Sequence, residues 1–426
     1  MIFINKLTFM FLFFVISIQA IGQIEMESPY YPVSSDEQGS WKYKGTLFWN
    51  EDINSNAFTN DFVKAVDKSQ FLDGELIDGQ LQNFDGKVLT GQIRNVGGRV
   101  YLNSTKKPGA KYYFFGIEHH HILDSSIDEE LAALFLKGNK HYTGKTMEAP
   151  DSRYYNIYYN QISGGMGFNF DKGDVKQQLQ WGLSLNLGQN YDYLGLENST
   201  FYTDPEGEFL DITVSAETKL SDTVWAEFYE VKGIGMSGEL LYSYKKSKDF
   251  HFDVSIRNLG FVNWNANTFS GVIDTSFVFQ GLVVDTIESD NGSFPTDYDL
   301  KSLRRWLFPN AETGSFSTAT PFSIGLSGGK FFSDGKFYAG IKAKYYPLLK
   351  APVMLEFFGT YNHKNIFFLT PVFLYSSYKK LNYGLSIGVN ISDNIRFDVG
   401  SAYLNSMFTG SSLAGQGGFV RLGFRF

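Results

Sequence analysis

From Tyr383 the chain reads YGLSIGVNI, and this stretch decides the fold class. Tyr383, Leu385, Ile387, Val389 and Ile391 fall on one face of an extended chain, and Gly384, Ser386, Gly388 and Asn390 on the other, because side chains alternate across a strand. The same pattern recurs elsewhere. FHFDVSIRN, from Phe250, sets Phe250, Phe252, Val254 and Ile256 against His251, Asp253, Ser255 and Arg257. FYAGIKAKY, from Phe337, sets Lys342 and Lys344 opposite Phe337, Ile341 and Tyr345. Leu183, Leu185 and Leu187 alternate with Ser184, Asn186 and Gly188.

A soluble sandwich alternates too, with its apolar face inward. Three features favour a membrane barrel. The apolar faces are rich in Phe, Tyr, Leu and Ile, as lipid and its aromatic girdles require. The opposite faces carry Gly, Ser and Asn. The segments run about 9 to 12 residues, long for a sandwich and right for a tilted bilayer span. Lipid forbids an open sheet edge, so closure follows. The expected fold is all-β, a transmembrane antiparallel β-barrel. Even strand numbers are the rule in single-chain bacterial barrels, which sets the expectation at about 14 strands, with 16 as the alternative.

Composition agrees. Of 426 residues 19% are charged and 17% aromatic, with 43 Gly, a mixture suited to a sheet with one greasy face, one small or polar face and many turns. The net charge of −8 comes without a basic stripe, which argues against a nucleic-acid partner. The absence of cysteine excludes disulfides, thiolate metal sites, a cysteine nucleophile and a lipidated N-terminal Cys. Lys6 precedes the apolar run Leu7–Ile18, and Ala20 and Gly22 supply a small-x-small cleavage site. Residues 1–22 therefore read as a signal peptide cleaved before Gln23, and 23–426 as one barrel domain of the cell outer membrane. The apolar run is too short for a spanning helix, which needs about 20 residues.

The C-terminal stretch FVRLGFRF places Val420, Leu422, Phe424 and Phe426 on one face and Arg421, Gly423 and Arg425 on the other. A terminal aromatic on an alternating strand looks like an insertion signal, so Phe424 and Phe426 are the expected assembly signal. The partners implied are outer-membrane lipid, lipopolysaccharide and the outer-membrane assembly machinery.

Two stretches break the rhythm. Residues 126–137 predict a short helix, with Ser126 as N-cap, Glu129 three residues on and Gly138 as C-cap. Residues 263–318 form an insert too long for a simple turn, read as a plug or cap, with a helical turn over Leu300, Leu303 and Leu307.

Several strings imitate known sites. Gly233, Gly235 and Gly238 satisfy G-x-G-x-x-G, but a dinucleotide site needs a helix to follow, and here a strand continues. Gly325–Gly329 and Gly384–Gly388 fit G-x-S-x-G in mid-strand, where no nucleophile elbow forms. His251, Asp253 and Ser255 lie at i, i+2 and i+4, spaced by about 6.6 Å along the strand, and read as a lumen ladder rather than a triad. His119 and His121 share a face, two potential metal ligands, with polar loop histidines the preferred reading; solvated loop is likewise preferred to a calcium site at Asp285, Glu288 and Asp290. No catalytic, cofactor or metal site is expected. His251, Asp253, Arg257, Lys342 and Lys344 are the expected lumen-facing residues.

The stretch from Gly233, GIGMSGELLYSYKKSKDFHFDVSIRNLGFVNWN, resembles a recurrent segment of an uncharacterised outer-membrane barrel family of Bacteroidota. The likeness lies in a glycine-rich strand, a short turn, and an alternating strand ending in Asn258-Leu259-Gly260-Phe261 with Trp264 beyond. LFLKGNKHYTGKTM, from Leu134 to Met147, and the hairpins from Thr320 to Phe426 resemble that family too, about half the chain together. The family is distantly similar to FadL-type hydrophobic-substrate transporters, and to PorV-type and PorP-type barrels of type IX secretion and gliding. The resemblance implies a fourteen-stranded barrel with a segment in its lumen, a role residues 23–40 could fill as a hatch, and it brings no catalytic residues. The resulting expectation is a non-enzymatic barrel for a small or hydrophobic solute. The alternative is a scaffold of secretion or gliding machinery, with secretion-system proteins as partners.

Overall fold

A computed structural model of the protein describes residues 42–426, except 68–72, 105–109, 139–141, 222–229, 247–248, 280–311, 379 and 409–412. The signal peptide, the 23–40 segment and the helical turn near Leu300 lie outside the described residues.

The alternating stretches form β1 (Tyr43–Thr59), β2 (Lys87–Asn103), β3 (Lys111–Asp128), β4 (Thr146–Lys172), β5 (Val175–Thr203), β6 (Leu210–Leu220), β7 (Gly233–Lys246) and β8 (Phe250–Phe279). They continue as β9 (Glu312–Ala319), β10 (Ser323–Phe332), β11 (Phe337–Tyr345), β12 (Val353–His363), β13 (Phe367–Ser376), β14 (Lys380–Ser392), β15 (Ile395–Ser401) and β16 (Leu413–Arg425). All pair antiparallel in one sheet. β16 returns to β1, with Arg425 opposite Lys44 and Gly415 opposite Asn54. The pairings of β5 with β7 and of β8 with β10 complete the circuit.

Among the described residues the sheet has 16 strands, the alternative rather than the expected fourteen, although any one circuit of the barrel crosses fourteen of them. The difference has a local origin. β6 and β7 lie end to end along one side of β5, against Asp192–Thr203 and Val175–Gly188. β9 and β10 do the same along β8. The supposed insert at 263–318 is corrected with it: residues 263–279 extend β8 and 312–318 belong to β9, so only its centre falls outside the described residues.

The outward face is the apolar one. Leu326, Phe337, Ile341, Phe357, Phe373, Leu381 and Tyr383 are all exposed, the row a lipid-facing wall requires. No helix among the described residues is long and apolar enough to cross a membrane. Short turns gather at the end that holds Phe426. There Gly173, Asp334, Lys364 and Asn365 take positive φ, the left-handed conformation that tight connections use. In barrels of this kind the short-turn end is periplasmic and the long-loop end extracellular.

That outer end carries α1 (Asn60–Asp67), α2 (Gly74–Leu81) and α3 (Glu129–Lys137). The first two were not anticipated. The third begins three residues later than the sequence suggested: Ser126 is still in β3, and the Asp128 carboxylate caps the helix by accepting the Glu130 N–H at 3.1 Å. Gly138 sits at the C-cap with φ 73°.

One irregularity governs the interior. The β7–β8 register shifts between Gly238 and Leu240, where Asn258 takes φ +62°. A bulge of one residue exchanges the two faces beyond it. Below it His251, Asp253 and Ser255 face inward; above it Leu259 and Phe261 are exposed and Val262 and Trp264 are buried. The bulge thus keeps the lipid face apolar while turning Trp264 into the barrel.

Candidate functional site: a closed lumen over a charged chamber

The outer half of the lumen is filled by side chains arriving from around the circuit. Ile122, Tyr155, Ile157, Tyr159, Tyr191, Val262, Trp264, Met354, Leu374 and Tyr403 form one buried cluster with Tyr346 and Leu349. Trp264 is fully buried, and its indole N–H donates to Thr318 Oγ1 at 2.8 Å. Two glycines make room for it: a Cβ at Gly188 would lie 2.6 Å from the indole ring, and one at Gly233 2.9 Å. Gly233, the first glycine of the string that imitated a dinucleotide fingerprint, thus has a packing role.

Tyr346 and Leu349 belong to the connection between β11 and β12, Tyr346–Pro352. This short strap reaches across the circuit to β3 and β4. The Lys350 N–H donates to both carboxylate oxygens of Asp124, at 3.2 and 3.1 Å. Arg153 pairs with the same carboxylate and also donates to the Leu348 carbonyl at 3.0 Å. The Lys350 ammonium contacts Asp151 at 3.0 Å. Polar bonds on the far wall therefore hold the strap in an otherwise apolar ceiling.

Beneath it lies a cavity of about 500 Å³, for which Ile122, Leu374 and Tyr346 also serve as lining. All five expected lumen residues, His251, Asp253, Arg257, Lys342 and Lys344, line it. Lys344 and Arg257 are exposed although they sit inside the barrel, so the space around them admits water. Sequence reading missed Asp52, Glu356 and Arg421, which line the same cavity. Glu356 stands directly opposite Lys342 across the β11–β12 ladder. It was legible only once that register was known.

One wall is locked by ion pairs. Arg99 on β2 donates to Glu118 on β3 at 2.5 Å and bidentately to Glu239 on β7 at 2.8 Å, and all three side chains are 6% exposed. Gln180 donates to Glu239 at 2.9 Å. A bidentate, desolvated guanidinium of this kind fixes geometry, because removing one partner leaves a buried charge unmatched.

The neighbouring β7–β8 wall carries the expected ladder in closer contact than the strand rise suggests. A rise of about 6.6 Å sets His251 and Asp253 beyond proton-transfer reach, yet His251 Nε2 lies 2.9 Å from Asp253 Oδ1. Same-face neighbours can lean together by rotation about their side-chain bonds, which a backbone rise ignores. Ser243 Oγ lies 3.1 Å from His251 Nε2, and Ser327 donates to Asp253 Oδ2 at 2.9 Å. Serine and aspartate thus meet the same ring nitrogen. A nucleophile–base–orienter relay needs them on opposite nitrogens, so this is a hydrogen-bond ladder. The two G-x-S-x-G strings lie inside β10 and β14.

The three consecutive histidines each meet a different asparagine. His119 Nδ1 meets Asn160 at 2.9 Å, His120 Nδ1 meets Asn95 at 2.6 Å and His121 Nε2 meets Asn156 at 3.1 Å. No metal-binding group of three His, Cys, Asp or Glu occurs among the described residues. Asp285, Glu288 and Asp290 lie outside them. At the other end of the wall Phe424 stands opposite Gly45, and Phe426 is exposed, its carbonyl accepting the Lys42 N–H at 3.1 Å.

No family model matches the chain, and no curated protein matches its sequence. Among solved structures it is similar to a deletion mutant of TodX described as a monoaromatic hydrocarbon channel, with TM-score 0.45, 7% identity and coverage of 94% of this chain and 96% of that one. It is also similar to the Pseudomonas putida toluene transporter TodX, with TM-score 0.42, 8% identity and coverage of 91% and 90%. A third likeness is the ferric-catecholate import receptor Fiu of Escherichia coli K12, with TM-score 0.29, 7% identity and coverage of 80% and 63%.

Proposed function

We propose that this chain is an outer-membrane barrel that admits a small, charged, water-soluble solute through a lumen closed by a displaceable ceiling. The carrying observation is the water-accessible, ion-lined chamber under an apolar plug. A lumen that served only as filler would be cheaper with neutral side chains, because enclosed charges cost free energy unless water or partners solvate them. Of the small or hydrophobic solutes expected, the lining of Arg257, Lys342, Lys344, Arg421, Asp52 and Glu356 suits a small polar one better than a hydrophobic one. The ceiling is held to the far wall by the polar bonds of Asp124 and Arg153 to the strap, and moving it also unseats Tyr346 and Leu349 from the apolar cluster. Signal-peptide cleavage before Gln23 and recognition of Phe424 and Phe426 by the assembly machinery complete the proposed route to the outer membrane.

The test is permeation in proteoliposomes. The wild-type barrel should pass small charged solutes slowly, and replacing Leu348–Lys350 with glycines should raise the rate about tenfold or more, as expected when a barrier falls by about 1.4 kcal/mol. Equal impermeability of both proteins would sink the uptake reading.

A scaffold role has one observation in its favour. β4, β5 and β8 run 27, 29 and 30 residues, far beyond the roughly 9–11 that cross a bilayer. Their outer ends form a raised wall with β6 and β9, a surface that secretion-system proteins could use. Loss of co-purifying protein on deleting 204–209 together with β6 would favour that reading.

A further inference from the structure

The uptake reading leaves open the sign of the solute's charge, and the chamber carries information on that. Resting on that reading, we infer that the chamber is a binding site for small multivalent anions, such as a dicarboxylate or inorganic phosphate, held chiefly by Arg257 and Lys344 with Lys342 and Arg421 beside them.

The argument begins with placement. Arg257 and Lys344 come from β8 and β11, and β10 runs between those strands, with Ser323 opposite Arg257 and Gly325 opposite Lys344. Because the intervening positions are serine and glycine, no bulky side chain separates the two cations. Lys342 lies within electrostatic range of Lys344, Arg421, Glu356 and Asp253, and Lys344 within range of Arg257, Glu356 and Asp52. Besides the paired Arg99 and Glu118, four cations (Arg257, Lys342, Lys344, Arg421) and three carboxylates (Asp52, Asp253, Glu356) line one water-filled space.

Those carboxylates do not cancel the cations evenly. Asp253 already accepts from Ser327 and contacts His251. Glu118 and Glu239 are taken by Arg99, although both also lie within electrostatic range of Arg257. Arg257 and Lys344 remain exposed to the chamber, as a bound anion would require. The excess is also opposite in sign to the whole protein, whose net charge is −8. A positive chamber inside a negative protein, walled by low dielectric, focuses potential on whatever enters. Its 500 Å³ volume lies within the ~300–1,000 Å³ range of small-molecule sites.

Succinate and inorganic phosphate, tested separately by calorimetry on the detergent-solubilised full barrel, provide the probe, with choline and erythritol as cationic and neutral controls. Succinate, phosphate or both should bind, more weakly as salt rises, and the controls should not. Lys344→Gln and Arg257→Gln should each weaken binding by about tenfold, or about 1.4 kcal/mol, while unfolding in urea at the wild-type midpoint. Choline binding instead, or anion binding unchanged in both variants, would overturn the inference. So would absence of anion binding in a barrel that passes neutral and charged solutes alike, although uptake itself would then stand. Anion binding without permeation would retain the site and remove the uptake reading. Variants that fail to fold are replaced by Lys344→Arg, which keeps the charge and should keep binding.

Discussion

The two halves of the lumen are built by opposite rules. The outer half excludes water: Ile157, Tyr159, Val262, Trp264 and Tyr403 are fully buried in a single apolar cluster. The inner half keeps it in a chamber lined by charged groups from β1, β8, β11, β12 and β16, beside a buried apolar cluster of Phe331, Tyr338, Phe358, Phe368 and Val372. Both are made by inward-facing positions of the same strands, β8 supplying Val262 and Trp264 to one and His251, Asp253 and Arg257 to the other. Strand identity therefore does not set the character of the lumen. Height along the strand does, and the Asn258 bulge marks the changeover on β8. A pore needs continuous wetting, whereas this barrel alternates a dry layer with a wet one, the arrangement of a compartment with a door.

This contrast can be broken in graded steps. Trp264→Ala should cost most, about 3–5 kcal/mol of stability in urea unfolding, because it empties the centre of the dry layer. It should also flood that layer, which tryptophan-free solute-quenching or permeation measurements would detect; an unchanged urea midpoint would show that the ceiling does not depend on the indole. Asp124→Ala should cost less, about 1–3 kcal/mol, since the Lys350 N–H and Arg153 lose their acceptor. Its larger signature should be faster permeation, and a rate equal to wild type would mean that the strap is held by packing alone. Lys344→Gln should be nearly neutral for stability, within about 0.5 kcal/mol, because its side chain faces water in the chamber. A large destabilisation there would erase the distinction between the two halves.

The wall was readable residue by residue. Alternation at Phe250–Ile256, Phe337–Tyr345 and Tyr383–Ile391 separated lipid face from lumen face, because a period of two survives wherever both faces have distinct solvents. The five residues expected to face the lumen come from the same alternation, and they fall in the lining of the cavity. What escaped was whatever depends on partners distant in sequence. Asp124 and Lys350 are 226 positions apart, so the strap resembled an ordinary seven-residue connection. Glu239 and Arg99 are 140 apart, and neither announces a partner. Asn258-Leu259-Gly260 drew notice as a resemblance, but its physical meaning, a change of faces, required the register. The strand count failed where rows of pairing are interrupted: nothing local in Leu210–Lys246 says that its two strands share one side of β5. The helix at Glu129 began late because Asp128, nearer the first turn, outcompetes Ser126 as a cap when β3 pairing extends through Ser126.

The long strands have a consequence for what meets this protein from outside the cell. With a rise of about 3.3 Å per residue and a tilt near 40°, a strand of β5's length climbs on the order of 70 Å, against an apolar band about 25 Å tall. Its tip would then stand some 40 Å clear of the hydrocarbon, at the height of the sugar chains on surface lipids rather than of their acyl chains. On the proposed outer-membrane placement, the rim formed by β5, β6 and β8 is the part of the barrel that a large particle arriving from outside would touch first, well before anything reached the strap or the chamber it covers.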